Sequence, residues 1–272
     1  MVERAMNTKK VERKTEKTAL LQGILEVGLR VFRVNDVQSI AKELNISPKY
    51  ALEIISRLVK EGWIEGIRKG LYKLSSKVTT SPIHEFEIAM GLVRPALISF
   101  YSAFYHHGLT EQIPRTVYIT TIKRRAAFPL NANQKTGFVI EGINYRVVQL
   151  KKEKFFGASM ERVGDSQCAI SNLERTLIEG FAFPQYCGGF GEVMYGLEQS
   201  LSKLNPSRLI DYALRWNIAV ARRVGWALDQ LGYEDNRHLT LVQGSSLGYR
   251  LLDPSREAKG DYSTKWRLQI NL

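Results

Sequence analysis

The chain has 272 residues, 44% hydrophobic and 24% charged, with a formal net charge of +12. That balance suits two folded domains with real cores and excludes a disordered or fibrous chain. No apolar run approaches the ~18 residues of a membrane-spanning helix, and the first twenty residues lack the apolar centre of a secretory signal, so a cytoplasmic protein is expected.

The positive excess sits at the front. Residues 1–80 hold 16 Lys and Arg against 9 Asp and Glu, and the remainder holds 23 against 18. A basic domain of this size attracts polyanions through counterion release, and nucleic acid is the commonest such partner. Cys168 and Cys187 match no metal spacing and fit a reducing compartment.

In chain order, Ala19, Leu20, Ile24, Leu25 and Val27 lie near helical spacing, which predicts a first helix ending around Gly28. "LRVFRV" reads as a short strand. Asn35 or Asp36 is expected to cap a second helix, "VQSIAKEL", with Val37, Ile40, Ala41 and Leu44 on one face. A third helix is predicted after Ser47 as N-cap and Pro48 at the first helical position, where a missing N–H costs nothing.

On a 3.6-residue wheel Ala51, Ile54, Ile55 and Leu58 line one side of that helix. Lys49, Glu53, Ser56 and Lys60 line the other, with Tyr50 and Arg57 on the flank. Gly62 closes it, and "GWIEGIRKGLYKL" reads as two strands joined by a turn bearing Arg68, Lys69 and Gly70. A turn needs the glycine but not two adjacent cations. The order of helix, strand, helix, turn, helix and hairpin is that of a winged helix-turn-helix, whose third helix enters the major groove and whose wing tip meets phosphates.

"SSKVTTSP", residues 75–82, has the composition of an inter-domain linker. The expected division is therefore a winged helix-turn-helix over 1–78 and a second domain over 83–272. In the latter, "HEFEIAMGLV" reads as a helix, "ALISF" as an apolar run and "SAFYHHGLT" as a short helix ending at Gly108. Strands are expected at "RTVYITTI", "GFVIEG", "NYRVVQL" and "SQCAI". "SNLE" reads as a capping box, Ser171 capping and Glu174 reaching back. Helices follow at "NLERTLIEGF", "EVMYGLEQSLSKL", "NPSRLIDYALRW" and "NIAVARRVGWALDQLGY", and two closing strands at "LGYRLLD" and "KWRLQINL". The fold class is α+β: a winged helix-turn-helix followed by a larger mixed α/β domain with a helical region.

Motifs for catalysis are sparse. Adjacent histidines on a helix point about 100° apart, so His106 and His107 are expected to take structural roles rather than to share a metal. "GGFGEVMYG" precedes a helix but lacks the G-x-G-x-x-G register and a P-loop lysine, and reads as a turn. Neither G-x-S-x-G nor H-E-x-x-H occurs. No enzymatic activity, cofactor or metal is expected.

"SFYSAFYHHGLTEQIPRTVYITT" (99–121) and "AISNLERTLIEGFAFPQYCGGFGEV" (169–193) resemble the two signature stretches of the AbiEi family, the antitoxins of type IV toxin–antitoxin systems of abortive phage infection. The resemblance implies a repressor that binds inverted repeats at its own promoter and counters a nucleotidyltransferase toxin without a stable complex. It places Lys49, Tyr50, Glu53, Ser56 and Arg57 on the recognition helix and Arg68 and Lys69 on the wing, as the wheel does. Ser47 and Lys42 join the DNA-facing set, with Lys42 and Lys60 on the phosphates. Ser102, His107, Gly108, Glu174, Arg175 and Thr176 match the family pattern, with Glu174 expected as a cap and Arg175 as a candidate buried ion-pair partner. Two other readings stand beside this one: a solitary regulator without a toxin, and a winged-helix module carrying an enzymatic C-terminal domain.

Overall fold

The computed structural model describes residues 15–124, 137–233 and 248–272. The chain divides into two compact units, one of residues 1–94 with 162–168, the other of 95–161 with 169–272. The fold class is α+β.

In the first unit, a helix over 15–26 (α1) leads through Gly28, at φ +72°, to strand β1 (Val31–Arg33). Helices α2 (Val34–Glu43) and α3 (Pro48–Lys60) follow, then strands β2 (Ile64–Arg68) and β3 (Leu71–Leu74). The three strands form an antiparallel sheet in the order β1-β3-β2. Leu20, Ile24, Phe32, Val37, Ala51, Ile54 and Leu58 are buried together with Ile64 and Leu74. Each fully buried Leu or Ile contributes about 1.5–3 kcal/mol, so the apolar face of α3 fixes which face is left to solvent.

Local chemistry explains the ends of α3. Ser47 Oγ accepts the Tyr50 N–H at 3.3 Å, and Pro48 takes the first position, as expected. For α2 the expectation is corrected: Arg33 is the N-cap, and Asp36 sits at the third helical position, its carboxylate accepting the Arg33 N–H at 2.8 Å. The chain enters α2 directly from β1, which leaves no room for a cap at Asn35.

Segment 75–82, expected as a linker, is instead held on this unit. Ser75 Oγ donates to the Gly62 carbonyl at 2.7 Å, and the buried Arg30 donates to the carbonyls of Ser81 (2.8 Å) and Pro82 (2.9 Å). Helix α4 (Glu85–Leu92), capped by the His84 ring on the Phe86 N–H, packs against β1. Gly91 permits that approach, because a Cβ there would lie 2.6 Å from a Val31 methyl. The compact unit accordingly runs on to Arg94.

The second unit is built on a six-stranded mixed sheet in the order β6-β7-β5-β4-β9-β8. Its strands are β4 (Leu97–Ile98), β5 (Thr116–Thr121), β6 (Gly137–Ile140), β7 (Ile143–Gln149), β8 (Ala158–Val163) and β9 (Ser166–Ser171). Strands β5 and β7 run parallel, as do β4 and β9; β4–β5 and β6–β7 are antiparallel. Helix α5 (Phe100–His106) follows β4. Helices α6 (Leu173–Ala182), α7 (Phe190–Ser200), α8 (Pro206–Trp216) and α9 (Ile218–Gln230) supply most of the larger core, in which Phe104, Leu177, Phe181, Val193, Leu209 and Val224 are buried. Three short strands, β10 (Arg250–Leu251), β11 (Tyr262–Ser263) and β12 (Leu268–Gln269), close the described chain. Their buried Trp266 lies against Gly225 of α9.

The expected capping box at α6 is also corrected. Asn172 is the N-cap, accepting the Arg175 N–H at 3.0 Å. Ser171 Oγ turns inward to Glu179 (3.0 Å) and Ser99 (3.1 Å), while Glu174 accepts the Asn205 N–H at 2.7 Å and lies 3.6 Å from Arg208. Arg175 is indeed a buried ion-pair partner: its guanidinium meets Glu179 at 2.9 Å, with both side chains fully excluded from solvent. Ser102 accepts the Tyr118 N–H, Thr176 donates to the Ser171 carbonyl, and Gly108 at φ +68° ends α5. Gly188 and Gly189, at φ +80° and +100°, form the turn into α7. Ser102, Gly108, Glu174, Arg175 and Thr176 thus all serve the fold.

Candidate nucleic-acid interface

The solvent face of α3 carries Lys49, Glu53, Ser56 and Lys60, all exposed, with Tyr50 and Arg57 half-buried at its edge. The Arg57 guanidinium lies 5.5 Å from the Tyr50 ring centroid and 3.6 Å from the Glu53 carboxylate one turn back. Arg57 is therefore shared between a ring and a carboxylate. Ser47, also exposed, has its hydroxyl engaged in the cap.

The wing differs from expectation at one residue. Arg68 pairs with Leu71 at the end of β2 and is half-buried; burial lowers the pKa of its guanidinium. Only Lys69 and Gly70 form the turn itself, with Gly70 at φ +77° and Lys69 exposed. The Gly70 carbonyl accepts the Val34 N–H at 3.1 Å, which ties the turn to the first residue of α2. The register shift between Gly66 and Arg68 draws Arg68 away from the tip.

The unit sorts its cations into two groups. Lys17 pairs with Glu61 at 2.5 Å, Lys73 with Glu65 at 3.3 Å and Arg94 with Asp36 at 2.5 Å. Arg33 Nε donates to the Gly91 carbonyl and Lys77 Nζ to that of Glu61. Burial and the neighbouring Arg94 lower the pKa of Arg33. Lys42, Lys49, Lys60 and Lys69, by contrast, are exposed and have no carboxylate partner among the described residues. They lie at the end of α2, along α3 and at the wing turn. A lysine held by nothing inside the fold can give its charge to a phosphate without first breaking an ion pair.

Sequence patterning found these four lysines but not the internal network. The partners of Arg30, Arg33 and Lys17 are remote in the chain, and no local spacing reports such pairs.

Residues 26–74 match a family model described as "Transcriptional regulator, AbiEi antitoxin". The segment is an AbiEi antitoxin/transcriptional-regulator domain. It spans β1, α2, α3 and the two wing strands, so the AbiEi domain contains all ten candidate residues from Lys42 to Lys69. The RV2827C protein from Mycobacterium tuberculosis, known from a crystal structure, is similar to this chain at a TM-score of 0.57. The alignment has 15% identity and covers 93% of this chain and 90% of that one, and the likeness is one of fold. No curated protein matches the chain. No helix among the described residues is long and apolar enough to cross a membrane.

In the second unit, His106, His107 and Glu161 each bring one donor atom within 4.8 Å of the others. The two rings were expected to diverge. Their centroids are 5.2 Å apart at an interplanar angle of 75°, and His107 is the C-cap that closes α5. Burial lowers the pKa of His107, against the opposing effect of its bond to the Ser171 carbonyl.

Proposed function

We propose that the protein is a DNA-binding transcriptional repressor acting as the antitoxin of a type IV toxin–antitoxin system, binding inverted repeats at its own promoter. Lys49, Tyr50, Ser56 and Arg57 face the groove; Lys42, Lys60 and Lys69 take phosphates, and Arg68 supports the wing from its base. The observation that carries this reading is the set of four exposed lysines without a carboxylate partner among the described residues, spread over α2, α3 and the wing of an AbiEi domain. The functional partner is a nucleotidyltransferase toxin that the protein counters without a stable complex.

The test is a band shift of the full-length protein on its own upstream DNA against a scrambled fragment at ~150 mM salt, where non-specific binding weakens. Preferential binding is expected. Equal binding to both fragments, or none, rejects the operator reading.

A further inference from the structure

We propose that His106, His107 and Glu161 form a binding site for a single zinc-type divalent ion in the second unit. The site is independent of the DNA-facing helix, and nothing in the repressor reading calls for it.

Three observations carry it. The first is the donor set: two imidazoles and one carboxylate, each with a donor atom within 4.8 Å of the others. Zinc takes such ligands at about 2.0–2.2 Å in a tetrahedral array, which puts neighbouring donors about 3.3 Å apart. The His106 Nε2 to Glu161 Oε2 distance of 2.5 Å widens when an ion replaces the proton between them, and the more distant donor closes by side-chain rotation.

The second is the outer contacts, which already hold two of the three ligands, His107 and Glu161, as metal sites do. His107 Nε2 lies 2.6 Å from the Ser171 carbonyl, so that nitrogen carries the hydrogen and the other keeps its lone pair. Ser159 Oγ donates to Glu161 Oε1 at 2.6 Å, which leaves Oε2 for the ion. Ser159, Glu161 and Ser171 lie on neighbouring strands β8 and β9, and both histidines lie at the end of α5, so rigid elements supply every ligand.

The third is access. The side chains of His106 and Glu161 are 23% and 30% exposed, enough for an ion to enter and for water to fill a fourth position. An ion pair needs only His106 and Glu161; the His107 ring, held by the Ser171 carbonyl, sets a second imidazole beside them.

The experiment uses the full-length protein stripped with EDTA and dialysed. Zinc is titrated in competition with a chromophoric chelator, and Co2+ is added separately as a spectroscopic probe. One zinc per chain is expected, with a Kd of about 1 μM or tighter. His106→Ala and Glu161→Gln are each expected to weaken it at least tenfold, while His84→Ala leaves it unchanged. Glu161→Gln is nearly isosteric, so if His106→Ala fails to fold, the glutamine variant with wild-type circular dichroism decides. The Co2+ complex should show four-coordinate visible bands without a thiolate charge-transfer band. Absence of one-to-one binding, equal affinity in Glu161→Gln and wild type, loss of affinity in His84→Ala, or a thiolate band overturns the proposal.

Discussion

Glu53 and Arg57 stand one turn apart on α3, with carboxylate and guanidinium 3.6 Å apart on the face turned to solvent. The arginine at the edge of that face thus enters any encounter with a polyanion already paired, and the carboxylate itself repels phosphate.

Glu53→Gln is expected to tighten operator binding about two- to fivefold by releasing Arg57 from an exposed pair. Fluorescence anisotropy on labelled operator, at one fixed salt concentration, checks it. Weaker binding in the variant would mean that Glu53 reads a base instead.

Lys42, Lys60 and Lys69 predict a different signature. Each replacement by alanine is expected to weaken binding to operator and scrambled DNA alike if the residue meets a phosphate, and to reduce the slope of log K against log salt by about 1. Arg68→Ala is expected to change the slope less than Lys69→Ala, since Arg68 is half-buried at the base of the wing. Affinity measured at four or five salt concentrations separates the two. Equal slopes would return Arg68 to the tip.

The pair Arg175–Glu179 makes a stability prediction. Glu179 also accepts the N–H of Phe100, a buried residue held at φ +54°, and the hydroxyl of Ser171. Glu179→Ala strands a buried guanidinium and is expected to cost about 3–5 kcal/mol. The double variant Arg175→Met, Glu179→Leu is expected to cost less than Glu179→Ala, because neither side chain is left charged and alone. Urea titration followed by tryptophan fluorescence measures both.

The two cysteines predict inertness. Burial and the nearby Glu87 push the Cys168 thiol up to about 12, and burial with Glu179 pushes Cys187 well above its ordinary value. Both are free and buried. The thiolate is the reactive species, so the native protein is expected to react slowly with an aromatic disulfide reagent at pH 8, and two thiols per chain promptly in guanidinium. A rapid native reaction would show that one of them is reached from solvent.

What could be read from the residues alone was whatever is settled within one helical turn or one hairpin. Ser47 with Pro48, Asn205 with Pro206, and Gly70 in the wing each announce an element boundary by local chemistry, and each stands where expected. Ser171 and Asn172 are both competent caps; the choice fell to Asn172 because Glu179, two turns on, claims the serine hydroxyl. Strand β8 went unseen because no alternating apolar run marks "ASMERV". The site of His106, His107 and Glu161 was hidden for a related reason, since its carboxylate comes from that strand.

Strand β4 carries a consequence for synthesis on the ribosome. Its two residues lie between β5 and β9, and Ile98 finds its parallel partner only in Ile170. The sheet of the second unit therefore stays open along one side of β4 until the chain has been translated past β9. The three helices and wing strands at the front close over much shorter loops and can pack earlier. A nascent chain is thus expected to present packed α1–α3 and wing strands while the six-stranded sheet still waits for a strand.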